Sequence, residues 1–99
     1  LNDLQRALED CNKALSLRRN FVDALDSRGF VNLKLGENRA AAGDYDAALK
    51  VDPTHASSLY GRGIARRRLG QPALGARDLA EAVQLNQAIE QEFAQYGLR

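Results

Sequence analysis

The chain has 99 residues, with 14 basic and 13 acidic side chains and a formal net charge of +1. That length accommodates one domain with a modest core, and the balanced charge excludes a global field that draws nucleic acid or an anionic membrane. Lone Cys11 excludes an internal disulfide, and no apolar run is long enough to span a bilayer.

Helical periodicity dominates, and β-branched alternation is absent. Leu4, Ala7, Leu8, Cys11, Ala14 and Leu15 recur at spacings of three and four, which predicts an amphipathic helix over about 4–17 with Asn2 or Asp3 as its N-cap. Arg18 and Arg19 end it with the charge that suits a helix C-terminus. A second helix is expected from Val22 to Leu35, stopped by Gly36, a residue suited to a left-handed cap. The third starts near Asn38 and runs through Tyr45, Ala48 and Leu49 to a break at Asp52-Pro53. Thr54 is the expected cap of a fourth helix, from His55 to Leu69, which Gly70 ends. Pro72 suits the first turn of a fifth helix reaching Leu85, and a short sixth covers about 88–96.

The chain also repeats itself. A shift of 34 residues lays Asp10 on Asp44 and Asp78, Ala14 on Ala48 and Ala82, and Leu17 on Val51 and Leu85. The same shift lays Leu25 on Leu59 and Phe93, Arg28 on Arg62, Gly29 on Gly63 and Gly97, and Gly36 on Gly70. Such a period means stacked supersecondary units, none of which buries its own apolar face alone. It directs attention to a surface that holds something before any site that converts something. The chain opens without Met, in the middle of a unit, and reads as a fragment of a longer protein.

Helix, glycine turn, helix and a closing Asp-Pro within 34 residues resemble the tetratricopeptide repeat. The fullest copy is 22–55, with Gly29, Gly36, Ala41, Tyr45, Ala48 and Asp52-Pro53 at the family's positions. The next, 56–89, keeps Leu59, Gly63, Gly70, Ala82 and Leu85, but has Gly75 for the usual Ala and Asn86-Gln87 for Asp-Pro. Residues 1–21 match the second half of a truncated copy, and 90–99 the start of another, expected to serve as a C-terminal capping helix. The resemblance implies an all-α fold: an α-solenoid of antiparallel helix pairs, about six helices wound as a right-handed superhelix. Small Gly29 and Gly63, facing Ala41/Ala48 and Gly75/Ala82, then let paired backbones approach closely.

The resemblance also implies a concave groove lined by the first helix of each pair. Carried over position by position, it takes Asp23, Asp26, Ser27, Phe30, Leu33 and Lys34 from one unit, and Ser57, Tyr60, Gly61, Ile64, Arg67 and Arg68 from the next. The expected peptide-binding residues among these are Asp26, Phe30, Leu33, Lys34, Tyr60, Ile64, Arg67 and Arg68. An apolar strip of Phe30, Leu33, Tyr60 and Ile64 flanked by charge fits an extended or helical peptide. The alternative is that a lid helix or neighbouring repeats cover the strip. A Lys/Asn/Arg carboxylate clamp, used by one branch of the family on chaperone tails, is missing: its positions hold Asp26, Ser27, Phe30, Ser57 and Gly61.

No catalytic, cofactor or metal site is assigned. His55 reads as a turn residue and Cys11 as a small buried hydrophobe, and neither has the converging partners that nucleophilic or metal chemistry needs. Gly61 and Gly63 lack the preceding strand and following Gly-Lys-Ser/Thr of a phosphate loop, so helix packing explains them. Arg66, Arg67 and Arg68 point in three directions about 100° apart. The family pattern sends Arg66 toward the partner helix, its stem along apolar surface, and Arg67 and Arg68 toward the groove. The expected function is a non-enzymatic scaffold binding a protein or peptide, without nucleic acid or membrane insertion. The alternative is a structural spacer or oligomerisation array in a larger protein. The compartment is unknown, with a soluble, cytoplasmic setting favoured.

Three further expectations concern packing. Asp10 and Asp44 each precede an arginine, Arg28 and Arg62, by 18 residues and are expected to pair with it, with Asp78 reaching Tyr96 at the same spacing. Phe93 is expected to bury against Leu79 and Val83, leaving Glu90, Gln91 and Gln95 exposed. The truncated first helix, through Leu4, Leu8 or Leu15, is expected to present an unpartnered apolar face on which a dimer forms.

Overall fold

The computed structural model describes residues 3–99 as an all-helical chain. Its elements are α1 (Asp3–Leu17), α2 (Val22–Lys34), α3 (Asn38–Val51), α4 (Ala56–Arg68), α5 (Pro72–Leu85) and α6 (Ile89–Ala94). No strand occurs among the described residues. Asn2, one of the two expected caps of α1, lies outside them, and Asp3 is already in the first turn. Thr54 does not cap α4. It donates from its backbone N and its Oγ1 to Asp52 Oδ1, both at 3.2 Å, and leaves His55 at the N-cap position. The aspartate carboxylate is the stronger acceptor in such a turn.

Three glycines end helices in the same way. Gly36, Gly70 and Gly97 have φ of 78°, 81° and 75°, a region that side chains with a Cβ avoid. Each is bracketed by one pattern of bonds. Glu37 N, Gln71 N and Leu98 N reach back to Asn32, Arg66 and Phe93 carbonyls at 2.8, 2.9 and 3.2 Å, satisfying the last turn. Gly97 thus departs from its sequence register. Thirty-four residues from Gly63, it is no small residue inside a helix; it is a stop, and α6 spans only 6 residues.

Neighbouring helices from α1 to α5 pack on one another in chain order. Their closest approaches use small residues. A Cβ added to Gly63 would lie 2.9 Å from the Gly75 carbonyl oxygen and 2.8 Å from Leu79 Cγ, so α4 and α5 meet backbone to backbone. Ala41, Ala48 and Ala82 are fully buried. Tyr45 fills the space between α2 and α4: a Cβ on Gly29 would come 2.8 Å from its Cζ, and one on Gly61 would overlap the ring. Gly61 therefore faces α3, not the surface where the family pattern places it.

The arginines are paired differently from the expected spacing. Arg28 donates from Nε and Nη2 to Asp44 Oδ1 at 3.0 and 2.7 Å, and from Nη1 to Asn12 Oδ1 at 3.0 Å. Arg62 repeats this one period later. Its Nε and Nη2 hold Asp78 Oδ2 and Oδ1 at 2.9 Å each, and its Nη1 holds Asp46 Oδ1 at 3.0 Å. Each guanidinium, on a helix wedged between two others, binds the aspartate that follows by 16 residues and a second acceptor that precedes by 16. The expected Asp10–Arg28 and Asp44–Arg62 pairs are replaced, because the preceding contact falls to Asn12 and Asp46. Asp44 also accepts from Asn32 Nδ2, and Asp78 from Arg66 Nη1, both at 3.0 Å. The Arg66 side chain thus turns to its partner helix, and Asp78 is satisfied without Tyr96. Hydrogen bonding to Asp44 and Asp78 raises the pKa of Arg28 and Arg62 above the usual arginine value.

Two apolar clusters result. Leu15, Ala24, Leu25 and Ala48 form one, so Leu15 has its partners and is not the open residue expected of α1, while Leu4 and Leu8 are half-buried. The larger cluster joins Leu33, Tyr45, Leu49, Leu59, Tyr60 and Ile64 to Ile89, Phe93 and Leu98 from the C-terminal segment. No helix among the described residues is long and apolar enough to cross a membrane.

Candidate functional site

The face on which α2 and α4 lie side by side carries all the expected peptide-binding residues, and α6 lies across it. Phe93 lies tilted at 50° against Tyr60 with ring centroids 4.8 Å apart and meets Phe30 edge-on at 6.0 Å. Tyr96, in the turn after α6, meets Phe30 edge-on at 5.2 Å, and Lys34 Nζ donates to the Tyr96 carbonyl oxygen at 2.8 Å. Such aromatic pairs add about 0.5–1.5 kcal/mol each beyond area burial. Leu33, Tyr60 and Ile64 are 1%, 7% and 0% exposed as a result. The strip read from the sequence as an open floor is interior.

Phe93 is buried, with Tyr60 and Phe30 as its ring partners, and Leu79 of α5 packs against the same cluster, while Val83 does not join it. Val83 is 36% exposed, and it lies on α5 with exposed Ala76 and Ala80. These are the positions of Leu49, Ala42 and Asp46 on α3, the face that α4 covers. Glu90, Gln91 and Gln95 face water. The aromatic face of α2 and α4 offers Phe93 two ring partners, α5 adds Leu79 to the same cluster, and Gly97 closes the turn that follows α6.

The charged members of the face have separate roles. Arg68 donates from Nη1 to the Leu33 carbonyl oxygen at 3.1 Å and to Asn38 Oδ1 at 3.3 Å, tying the end of α4 to the turn after α2. Arg67 is exposed and borders a cavity of about 390 Å³ with Tyr60, Glu90, Gln91, Ala94 and Arg99. Burial, reinforced by Glu90 and offset by Arg67, raises the Tyr60 phenol pKa.

Asp26 sits at the opposite end of the face in a polar cluster that the sequence did not reveal. Its Oδ1 accepts from Ser58 Oγ at 2.8 Å and its Oδ2 from Ser57 Oγ at 3.1 Å, while His55 Nδ1 lies 2.9 Å from Ser58 Oγ and 3.7 Å from Asp26 Oδ1. Ser58 has one proton, and an ionised carboxylate only accepts, so Ser58 donates to Asp26 and accepts from His55 Nδ1–H. Serine, histidine and aspartate here do not form a nucleophilic triad. Both Ser58 and Asp26 use the same ring nitrogen, and Ser58 is fully buried. Burial raises the Asp26 pKa, with Ser58, then His55 and Ser57, working against it.

Among the described residues, no three His, Cys, Asp or Glu side chains converge as a metal site would require. Burial raises the Cys11 thiol pKa, the direction of an unreactive thiol. What the arrangement holds is a short helix of the same chain, on an aromatic-lined face with charged residues at both ends. No family model matches the chain.

Proposed function

We propose that the chain is a tetratricopeptide-type α-solenoid segment and a non-enzymatic module that binds a protein or peptide on the concave face formed by α2 and α4. The observation that carries this reading is the seating of α6. A helical segment of six residues followed by a glycine turn lies on Phe30 and Tyr60 and is held at its end by Lys34. A surface that accommodates one short amphipathic segment has the shape and chemistry for helix-in-groove recognition. The recurrence of the arginine–aspartate contacts and of Gly36 and Gly70 at one period supports the stacked-pair architecture.

Display of a random-peptide library against the chain tests this. Selected peptides are expected to lose binding on Phe30→Ala and on Arg67→Glu. Peptides insensitive to both, or no peptide selected at all, would overturn the reading.

A second reading, a spacer or oligomerisation array, draws on the exposed Ala76, Ala80 and Val83 of α5, the equivalents of a face that is covered on α3. It predicts association through α5, not through α1. Sedimentation at several concentrations, repeated with Val83→Glu, separates it from the first.

A further inference from the structure

We propose that α6 is a built-in competitor for the concave face, and that the external partner is a short helical segment carrying an acidic residue and two aromatics at successive three-residue intervals, as Glu90, Phe93 and Tyr96 are spaced. The inference rests on the peptide-binding reading above and names the partner's chemistry and its regulation. Three observations carry it. The two aromatic rings of the segment meet two rings of the face, Phe93 on Tyr60 and Phe30, and Tyr96 on Phe30. Glu90 lines the 390 Å³ cavity together with Arg67 and Arg99, so one acidic and two basic side chains surround the same space. The cavity leaves room beside α6, into which a longer segment of the same pattern would extend.

The segment is anchored through Ile89, Phe93 and Leu98, which are buried, and the rest of its surface is open to water. Glu90, Gln91, Glu92, Gln95 and Gly97 are exposed, Tyr96 is 54% exposed, and α6 is shorter than the length at which helices persist alone in water. A partner that binds only the open form sees its affinity reduced by the fraction of chains that are open. Loosening α6 therefore tightens the partner without changing any residue of the face.

The test uses the full chain and a fluorescent synthetic peptide with the sequence of residues 87–99, alongside a control peptide with alanine at its phenylalanine and tyrosine. Titrations are made against the wild type, Phe93→Ala and Tyr96→Ala, each checked for native helical content. The peptide is expected to bind Phe93→Ala at least tenfold more tightly than the wild type, with Tyr96→Ala intermediate and the control peptide binding none. Because Tyr96 is half-exposed, Tyr96→Ala keeps the test decisive if Phe93→Ala does not fold. Equal affinity for wild type and folded variants would show that α6 blocks nothing. Failure of the peptide to bind either folded variant, while library-selected peptides do bind at Phe30, would overturn the proposed chemistry and leave the peptide-binding reading standing. If no peptide of either kind binds, both fall.

Discussion

Removing a hydroxyl from the centre of the protein is expected to stabilise it. Tyr45 is fully buried between α2 and α4, and its hydroxyl has no hydrogen-bond partner among the described residues. Stripping such a group of water without replacing its bonds costs about 1–3 kcal/mol. Tyr45→Phe removes that penalty and leaves a gap of one oxygen atom, whose lost dispersion contacts cost on the order of 0.5 kcal/mol. The net gain is about 0.5–2.5 kcal/mol, at roughly 4–8 °C of melting temperature per kcal/mol for a domain of this size. Burial, then the carboxylates of Asp26 and Asp44, push the phenol pKa far upward, so the ring is neutral in both comparisons and the gain is the same at pH 6 and pH 8. Differential scanning calorimetry of the two proteins measures it. A lower melting temperature for Tyr45→Phe would refute the reasoning, because it would mean that the hydroxyl is satisfied in solution.

Glycine tests the backbone contacts with opposite signs at two positions. Gly63→Ala forces a methyl against the Gly75 carbonyl and is expected to destabilise by about 1–3 kcal/mol, whereas Gly43→Ala, in α3 with nothing within 4 Å, is expected to stabilise by up to about 1 kcal/mol. Urea unfolding of both variants checks the pair. Arg62→Ala strands Asp78, which keeps Arg66, so a loss of about 2–4 kcal/mol is expected, and the same assay reads it. Asp26 has a raised pKa in the folded state, so the folded chain holds its proton more tightly than the unfolded chain. Its contribution to stability is full below the unfolded carboxylate pKa and is lost as pH rises through the folded value. Asp26→Asn, which keeps one acceptor oxygen for Ser58 and turns an NH2 donor to the Ser57 hydroxyl, is expected to remove that fall from a stability profile between pH 3 and 7. An unchanged profile would place the titration elsewhere.

Local chemistry made much of this architecture readable in advance. Gly36 and Gly70 follow apolar-periodic runs, Pro72 opens one, and Asp52-Pro53 breaks one, so five helices fall within a residue or two of their expected ends. The close contacts at Gly29 and Gly63 were legible because only a missing side chain explains a glycine inside a helix at a fixed period. The arginine partners were not. A residue on a helix wedged between two others faces both, and separations of 16 and 18 along the chain are equally compatible with contact until helix rotation is known. Gly97 misled for a related reason: a glycine serves equally as a small packing residue or as a stop. Which it becomes depends on whether Phe93 settles against Val83 or on Phe30 and Tyr60, a competition between surfaces distant in sequence. The cluster of His55, Ser58 and Asp26 escaped notice because it joins the ends of α2 and α4 some thirty residues apart.

Arg28 and Arg62 each fasten three consecutive helices with one side chain, and the residue one period further on is Tyr96. Peeling any of α1, α2, α3, α4 or α5 from its neighbours leaves a guanidinium or its carboxylate half-coordinated. These five helices are thus expected to exchange their amide hydrogens as one cooperative block. No guanidinium fastens α6 to α5, so it opens without breaking such a pair and its amides exchange ahead of the rest. A single change of residue type in the register, from arginine to tyrosine, is thus expected to set the boundary between the block that exchanges together and the segment that exchanges first.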